Sequence, residues 1–224
     1  DGLTQADRLG DIFHSNPIVV GAPNAFIPEV SYTQFAALSN VVHRDRVIMA
    51  GANDGFFHGF LAGEWQTTPA PAHYDVGTGE EVFGFMPWGA RSKIAALAKK
   101  DAAGHTKSVD GSPSVADVWI DDDTDPTDAK ESDEWKTVMI TGMREGGEHY
   151  LALDVTDPAS SGYPQYLWEF PKENDTTWRP YVGQTWSQPV ITRVRLEDTN
   201  GDTVEKWVAV IGFGYDATSD PNNT

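Results

Sequence analysis

Ser15-Asn16-Pro17-Ile18-Val19-Val20, followed by Arg46-Val47-Ile48-Met49-Ala50-Gly51, opens a pattern that the chain repeats. A Ser with a nearby Pro leads into a short β-prone run, and a second apolar run closes on Gly. The pattern returns as Ser112-Pro113-Ser114-Val115-Ala116-Asp117-Val118 with Trp135-Lys136-Thr137-Val138-Met139-Ile140-Thr141-Gly142. It returns again as Ser187-Gln188-Pro189-Val190-Ile191-Thr192 with Lys206-Trp207-Val208-Ala209-Val210-Ile211-Gly212. The first two repeats add a third run, Phe56 to Leu61 and His149 to Val155, and a fourth, Glu81 to Phe85 and Tyr166 to Phe170. Four short strands in series, repeated, describe propeller blades. Pro is tolerated at a first strand's entry, where its missing N–H is not needed by the ladder. Gly after the second strand is read as permitting a tight turn. A generic antiparallel sandwich is the alternative.

The predicted fold is therefore all-β, a modified β-propeller of the quinoprotein-like kind, in one partial domain over residues 1–224. About three blades are present, over 15–85, 112–170 and an incomplete 187–224. A closed propeller takes about four to eight blades. The third repeat breaks off after its second strand, near Trp207 to Phe213. The expectation is an open edge there, covered by the remaining part of the same propeller or by a second chain. Two insertions read as short helices. Ser31 to Asn40 starts on a capping residue and spaces Tyr32, Phe35 and Leu38 helically; Ala90 to Lys100 puts Ile94, Leu97 and Ala98 on one face.

Composition narrows the function classes. The 224 residues hold 34 Asp and Glu against 16 Lys and Arg, a formal charge of −18. Such a field repels phosphate backbones and anionic lipid surfaces, which argues against nucleic acid as a partner. There is no Cys, so disulfides, thiolate nucleophiles and thiolate zinc sites are excluded together. No run approaches the roughly 20 apolar residues of a membrane span.

Two acidic runs have hard-cation spacing. Asp198-Thr199-Asn200-Gly201-Asp202 places side-chain oxygens at alternate positions of a tight turn, with Glu205 as a further carboxylate, and calcium takes about six to eight oxygens. Lys206 and Ala209 fall where an EF-hand loop would need ligands, so this is not an EF-hand, and an ordinary Asn-Gly hairpin turn is the competing reading. Asp121-Asp122-Asp123-Thr124-Asp125-Pro126-Thr127-Asp128 offers Asp121, Asp123, Asp125 and Asp128 as a second candidate, against a solvated acidic loop. Asn53-Asp54-Gly55 reads as a structural turn, since Asn and Gly accept positive φ. His58 is assigned to blade packing, with no Ser, Cys or carboxylate partner in a recognisable catalytic arrangement. The six His lack the paired spacing of a zincin helix, and neither a phosphate loop nor a nucleophile elbow is present.

Longer stretches carry a family resemblance. Leu9-Gly10-Asp11-Ile12-Phe13-His14-Ser15-Asn16-Pro17, the run Arg46 to Phe60, Gly79-Glu80-Glu81-Val82-Phe83-Gly84-Phe85-Met86-Pro87, Val109-Asp110-Gly111-Ser112-Pro113, Tyr150 to Pro158 and Leu167-Trp168-Glu169 follow in one order. Together they resemble the C-terminal propeller of the PilY family of type IV pilus tip adhesins, over nearly the whole chain. The resemblance implies a non-enzymatic protein exported through the periplasm of a Gram-negative bacterium to the pilus tip or outer-membrane surface. There it would support pilus assembly, extension, retraction and adhesion, with minor pilins or pilus tip proteins as partners. Calcium-dependent members of the family strengthen the expectation of Ca2+ at Asp198, Asn200 and Asp202. The rival enzyme is a quinoprotein dehydrogenase, a propeller holding pyrroloquinoline quinone over a Trp; Tyr150-Leu151-Ala152-Leu153-Asp154 and Thr78-Gly79-Glu80 fit its repeats loosely. A purely structural scaffold is the third reading.

Overall fold

The computed structural model describes residues 9–98, 105–121 and 129–214. Strands β1 (Ile18–Val20), β2 (Arg46–Gly51), β3 (Phe57–Gly63) and β6 (Glu81–Phe85) form one four-stranded sheet in the order β1-β2-β3-β6. A small flap of β4 (Trp65–Gln66) and β5 (His73–Tyr74) interrupts the sequence between β3 and β6. The second sheet is β7 (Ser114–Trp119), β8 (Trp135–Gly142), β9 (Tyr150–Asp154) and β10 (Gln165–Phe170), again in chain order. Every pairing in both sheets is antiparallel. Strands β11 (Val190–Glu197) and β12 (Thr203–Val210) pair as the start of a third unit. The expected all-β propeller architecture is present, with strands where the runs predicted them. Among the described residues β12 pairs with β11 alone.

Side-chain alternation explains how the units stack. On β8 and β9, Met139, Leu151 and Leu153 join Val47, Met49, Phe57 and Phe83 of the first sheet in one buried cluster. Their neighbours Val138, Ile140 and Ala152 face the other way and pack with Ile191, Trp207 and Ala209 of the third unit. A sheet apolar on both faces must be covered on both, and stacked blades do this. The full burial of Phe57, Met139, Leu151 and Leu153 puts the centre of the core between the first two blades.

The Ser and Gly of the repeat are bonded to each other. Gly51 N–H donates to Ser15 Oγ at 2.9 Å, and Gly212 N–H donates to Ser187 Oγ at 2.7 Å. In the second blade Ser112 Oγ instead takes Asn16 N–H at 3.1 Å and donates to the His14 carbonyl at 3.2 Å, tying its blade to the first. The next entry continues the line: Ser114 Oγ donates to the Pro189 carbonyl at 2.6 Å and Gln188 Nε2 to the Pro113 carbonyl at 3.2 Å.

The repeat glycines serve close approach, which corrects the expectation of a tight turn. Gly51 and Gly142 are absent from the residues with positive φ. A Cβ on Gly51 would lie 2.2 Å from the Val109 carbonyl oxygen, and one on Gly142 would lie 2.8 Å from that of Thr185. In each case the chain entering the next blade crosses the end of the second strand of the blade before.

The first insertion forms α1 (Val30–Ala37) and α2 (Ser39–Val42), and its start differs from expectation. The position before the helix is Glu29, without a side-chain cap; Ser31 lies inside the helix, where its Oγ accepts the Trp135 indole N–H at 3.0 Å. Tyr32 donates to Asp117 Oδ2 at 2.8 Å and meets the Trp135 ring edge-on at 4.9 Å. A helix inserted in the first blade is thereby buried on the second. The other insertion is a 3-10 turn (Trp88–Lys93) running into α3 (Ile94–Leu97); it buries Ala90 fully but none of α3. Lys99 and Lys100, expected at its C-terminus, lie outside the described residues.

Gly51→Ala should destabilise the fold by about 1–3 kcal/mol, because its new methyl meets a backbone oxygen and no side chain can yield. Urea unfolding checks this; an unchanged midpoint would mean that the blade crossing is not tightly packed.

Candidate functional site

The hairpin between β11 and β12 holds the first calcium candidate. Asp198 Oδ1 accepts the backbone N–H groups of Asn200 at 2.8 Å and Asp202 at 2.9 Å, and Gly201 takes φ +86°. The Asn200 amide turns back to Asp198 Oδ2 at 3.3 Å. These backbone N–H groups hold the Asp198 carboxyl below its ordinary pKa. Asp198, Asn200 and Asp202 therefore share one exposed turn. Glu205 is committed elsewhere: its carboxylate takes Lys130 Nζ at 2.6 Å and Arg193 Nη1 at 3.4 Å, and both cations also bind Glu29. This closed ring of alternating charge links the segment before α1, the loop before β8 and the third blade. Burial opposes ionisation of Glu205, but the Lys130 bond and the positive charges of Lys130, Arg193 and Arg195 together outweigh it, so its pKa falls. Of the second candidate loop, Asp121 lies exposed just past β7, and Asp123, Asp125 and Asp128 lie outside the described residues. Among the described residues no three His, Asp or Glu side chains gather to hold a metal.

Asn53-Asp54-Gly55 is a turn, as expected, with Gly55 at φ +105°. Asn53 works through its side chain, accepting Ser108 N–H at 2.9 Å and donating to Asp11 Oδ2 at 3.0 Å. Asp54 accepts Gly10 N–H at 2.8 Å and Phe56 N–H at 3.0 Å. His58, buried on β3, lies between two carboxylates that the sequence did not pair with it: Asp54 Oδ2 at 3.1 Å from Nε2, and Glu81 Oε1 on β6 at 2.7 Å from Nδ1. An imidazole with an acid on each nitrogen is a charge clamp, since neither nitrogen is left to serve a nucleophile. Nearby, His14 Nδ1 meets Asp110 Oδ2 at 2.5 Å, and Asp110 is 1% exposed. Residues 10–16 are thus latched across the first and second blades.

The third place is a cleft of about 540 Å³ where the outer strands of the two complete blades meet. Phe85 and Met86 from the end of β6, Trp88 from the 3-10 turn, and Tyr166 and Glu169 from β10 line it. Glu169 is 4% exposed; its Oε1 accepts Trp88 N–H at 3.0 Å, while Oε2 has no hydrogen-bond partner. Burial raises its pKa. Behind Trp88, His149 packs edge-on at 3.9 Å with neither ring nitrogen bonded. Burial, then the positive charge of Arg179, push its pKa down to about 4. Nothing local in the sequence marks this cleft, because Trp88 and Glu169 are 81 positions apart and meet only when two blades stack.

Burial alone would lower the His58 pKa, but its bonds to Asp54 and Glu81 together outweigh that and raise it. Burial alone would raise the Asp54 pKa, but the His58 bond, the Gly10 and Phe56 N–H groups and the His58 charge together lower it. A raised folded pKa makes the His58 contribution complete below the unfolded value of about 6.5, and lost as pH rises through the folded one. The Asp54 contribution is present above about 3.9 and lost as pH falls through its own depressed value. His149 has the opposite sign to His58, gaining above about 6.5 and losing toward its folded pKa. The stability difference between wild type and His58→Gln, from urea melts, should therefore be greatest from about pH 4 to 6.5 and shrink above it. A pH-independent difference would show that His58 is not held as a cation.

Comparison with known proteins agrees with this architecture. The family model described as the PilY1 beta-propeller domain matches residues 9–223. The type IV pilus biogenesis factor PilY1 of Pseudomonas aeruginosa PAO1 is 31% identical over 226 residues, 97% of this chain and 16% of that protein. A PilY1 homolog from Xylella fastidiosa Temecula1 is 31% identical over 219 residues, 95% of this chain and 14% of its own length. The crystal structure of the Pseudomonas aeruginosa PilY1 C-terminal domain superposes with a TM-score of 0.55 at 30% identity, covering 91% of this chain and 33% of that one. The chain spans about a sixth of the length of these relatives. Stacked antiparallel blades, latched entries and a match from end to end have one explanation: the chain belongs to the PilY1 β-propeller family.

Proposed function

We propose that this chain is the propeller portion of a type IV pilus biogenesis factor, acting without catalysis in pilus assembly, extension, retraction and surface adhesion. The observation that carries this reading is the match along 97% of the chain to a protein named for pilus biogenesis. A clamp-like use of His58 and a fold spent on blade packing support a binding or scaffolding role over an enzymatic one. Partners under this reading are minor pilins or pilus tip proteins, at an extracellular or outer-membrane surface. No helix among the described residues is long and apolar enough to cross a membrane. In the parent bacterium, removing the codons for residues 9–214 from the full gene should abolish surface pili and twitching, and restoring them should rescue both. Normal piliation without the segment would overturn the proposal.

Calcium regulation through Asp198, Asn200 and Asp202 is the finer part of the same proposal. What supports it is that the three residues share one exposed turn around Gly201, closed by the Asn200 and Asp202 backbone N–H groups on Asp198 Oδ1. With two carboxylates and one amide, affinity should fall near the weak extracellular range of about 10⁻⁴–10⁻³ M. Calcium should then raise the melting temperature as its concentration passes that range, and magnesium should do so poorly. Identical melts in chelator and calcium, for wild type and Asp202→Ala alike, would reduce the loop to a hairpin turn.

A further inference from the structure

The cations Arg91 and Lys172 and the acids Glu169, Glu173 and Asp175 line the cleft between the outer strands, an excess of one acid, and most of these charges are already matched. Arg91 Nη1 lies 3.6 Å from Glu173 Oε1, and Asp175 Oδ1 caps its own turn by accepting Thr177 and Trp178 N–H at 2.8 and 2.9 Å. Glu169 differs. One oxygen is used by the backbone of Trp88, and the other is buried without a partner in a residue that is 4% exposed. An unmatched buried carboxylate oxygen is costly, and it is retained where something else supplies the donor. The Trp88 indole N–H is buried and unpartnered too.

The walls favour a flat cation. Phe85 and Tyr166, from different blades, are stacked 9° from parallel at 6.2 Å. Trp88 already carries one guanidinium, that of Arg179, 5.3 Å above its ring. Guanidinium is planar, stacks on aromatic faces and donates in a fork that suits a carboxylate. The formal charge of −18 draws cations toward the whole molecule.

We infer that this interblade cleft is a binding site for an arginine side chain of a protein partner, its guanidinium held between Trp88 and Tyr166 with its positive charge set against the Glu169 carboxylate in the wall. Burial that raises the Glu169 pKa when the cleft is empty is offset once a fixed positive charge arrives.

The test titrates the full chain with Nα-acetyl-arginine amide and follows the indole N–H resonance of Trp88, assigned with Trp88→Phe. A saturable shift is expected. Nα-acetyl-citrulline amide keeps the shape but not the charge, and should bind at least about tenfold more weakly. Glu169→Gln keeps an oxygen for the Trp88 N–H and should weaken arginine binding by a similar factor while the melting temperature stays close to wild type. The citrulline arm uses wild-type protein, so it decides the matter even if the variant fails to fold. No saturable shift, equal binding of citrulline, or unchanged binding by folded Glu169→Gln would each overturn the assignment.

Discussion

The structure depends on one repeated contact: the chain entering each blade lies directly on the end of the second strand of the blade before. Val109 crosses Gly51 and Thr185 crosses Gly142, each with a carbonyl oxygen where a Cβ would stand. Hydrogen bonds fix both crossings. Val109 N–H donates to the Ala52 carbonyl at 3.2 Å, and Arg144 N–H donates to the Thr185 carbonyl at 3.2 Å. Thr185 Oγ1 also takes Met143 N–H at 2.8 Å and donates to the His149 carbonyl at 3.0 Å. A blade that exchanges backbone hydrogen bonds with its neighbour cannot tilt away without leaving buried polar groups unpaired.

Charge is organised around these joints. Arg44, buried after α2, donates to the Gly21 carbonyl at 2.6 Å in its own blade, and to Thr137 Oγ1 at 2.7 Å and the Thr156 carbonyl at 2.9 Å in the next. The Glu29–Lys130–Glu205–Arg193 ring does the same between the first insertion and the third blade. In a chain with twice as many acids as bases, several of the basic groups sit at seams where acids converge. Screening weakens exposed pairs, but a half-buried ring of four shares its desolvation and is harder to disperse. The commitment of Glu205 to that ring separates it from the hairpin turn it was expected to complete.

The cleft between β6 and β10 arises from the same stacking. Each outer strand ends in a turn rich in aromatic and charged residues, and neither turn forms a concavity alone. Bringing them together buries Glu169 and His149 against Trp88 and leaves polar atoms unmatched, a cost that a compact core would not carry for packing alone.

Local pattern was enough to read the strands. Their apolar runs, the ordered Ser, Pro and Gly, and the turn at Asn53-Asp54-Gly55 are written in contiguous residues, and the all-β repeat follows from them without tertiary information. The helix of the first insertion was legible from Tyr32 and Phe35, but its start was not: Ser31 has the chemistry of a cap, and only the approach of Trp135 shows that its hydroxyl serves another blade. The repeat Gly was seen and its reason was not, because a clash with Val109 exists only once a chain segment 58 residues away crosses it. His58 read as packing because neither Asp54 nor Glu81 lies beside it in a recognisable motif; a turn and a neighbouring strand bring them there. Residue type and spacing thus determined which segments become strands. Which polar groups face one another was decided by stacking, since blade packing joins residues that no spacing along the chain relates.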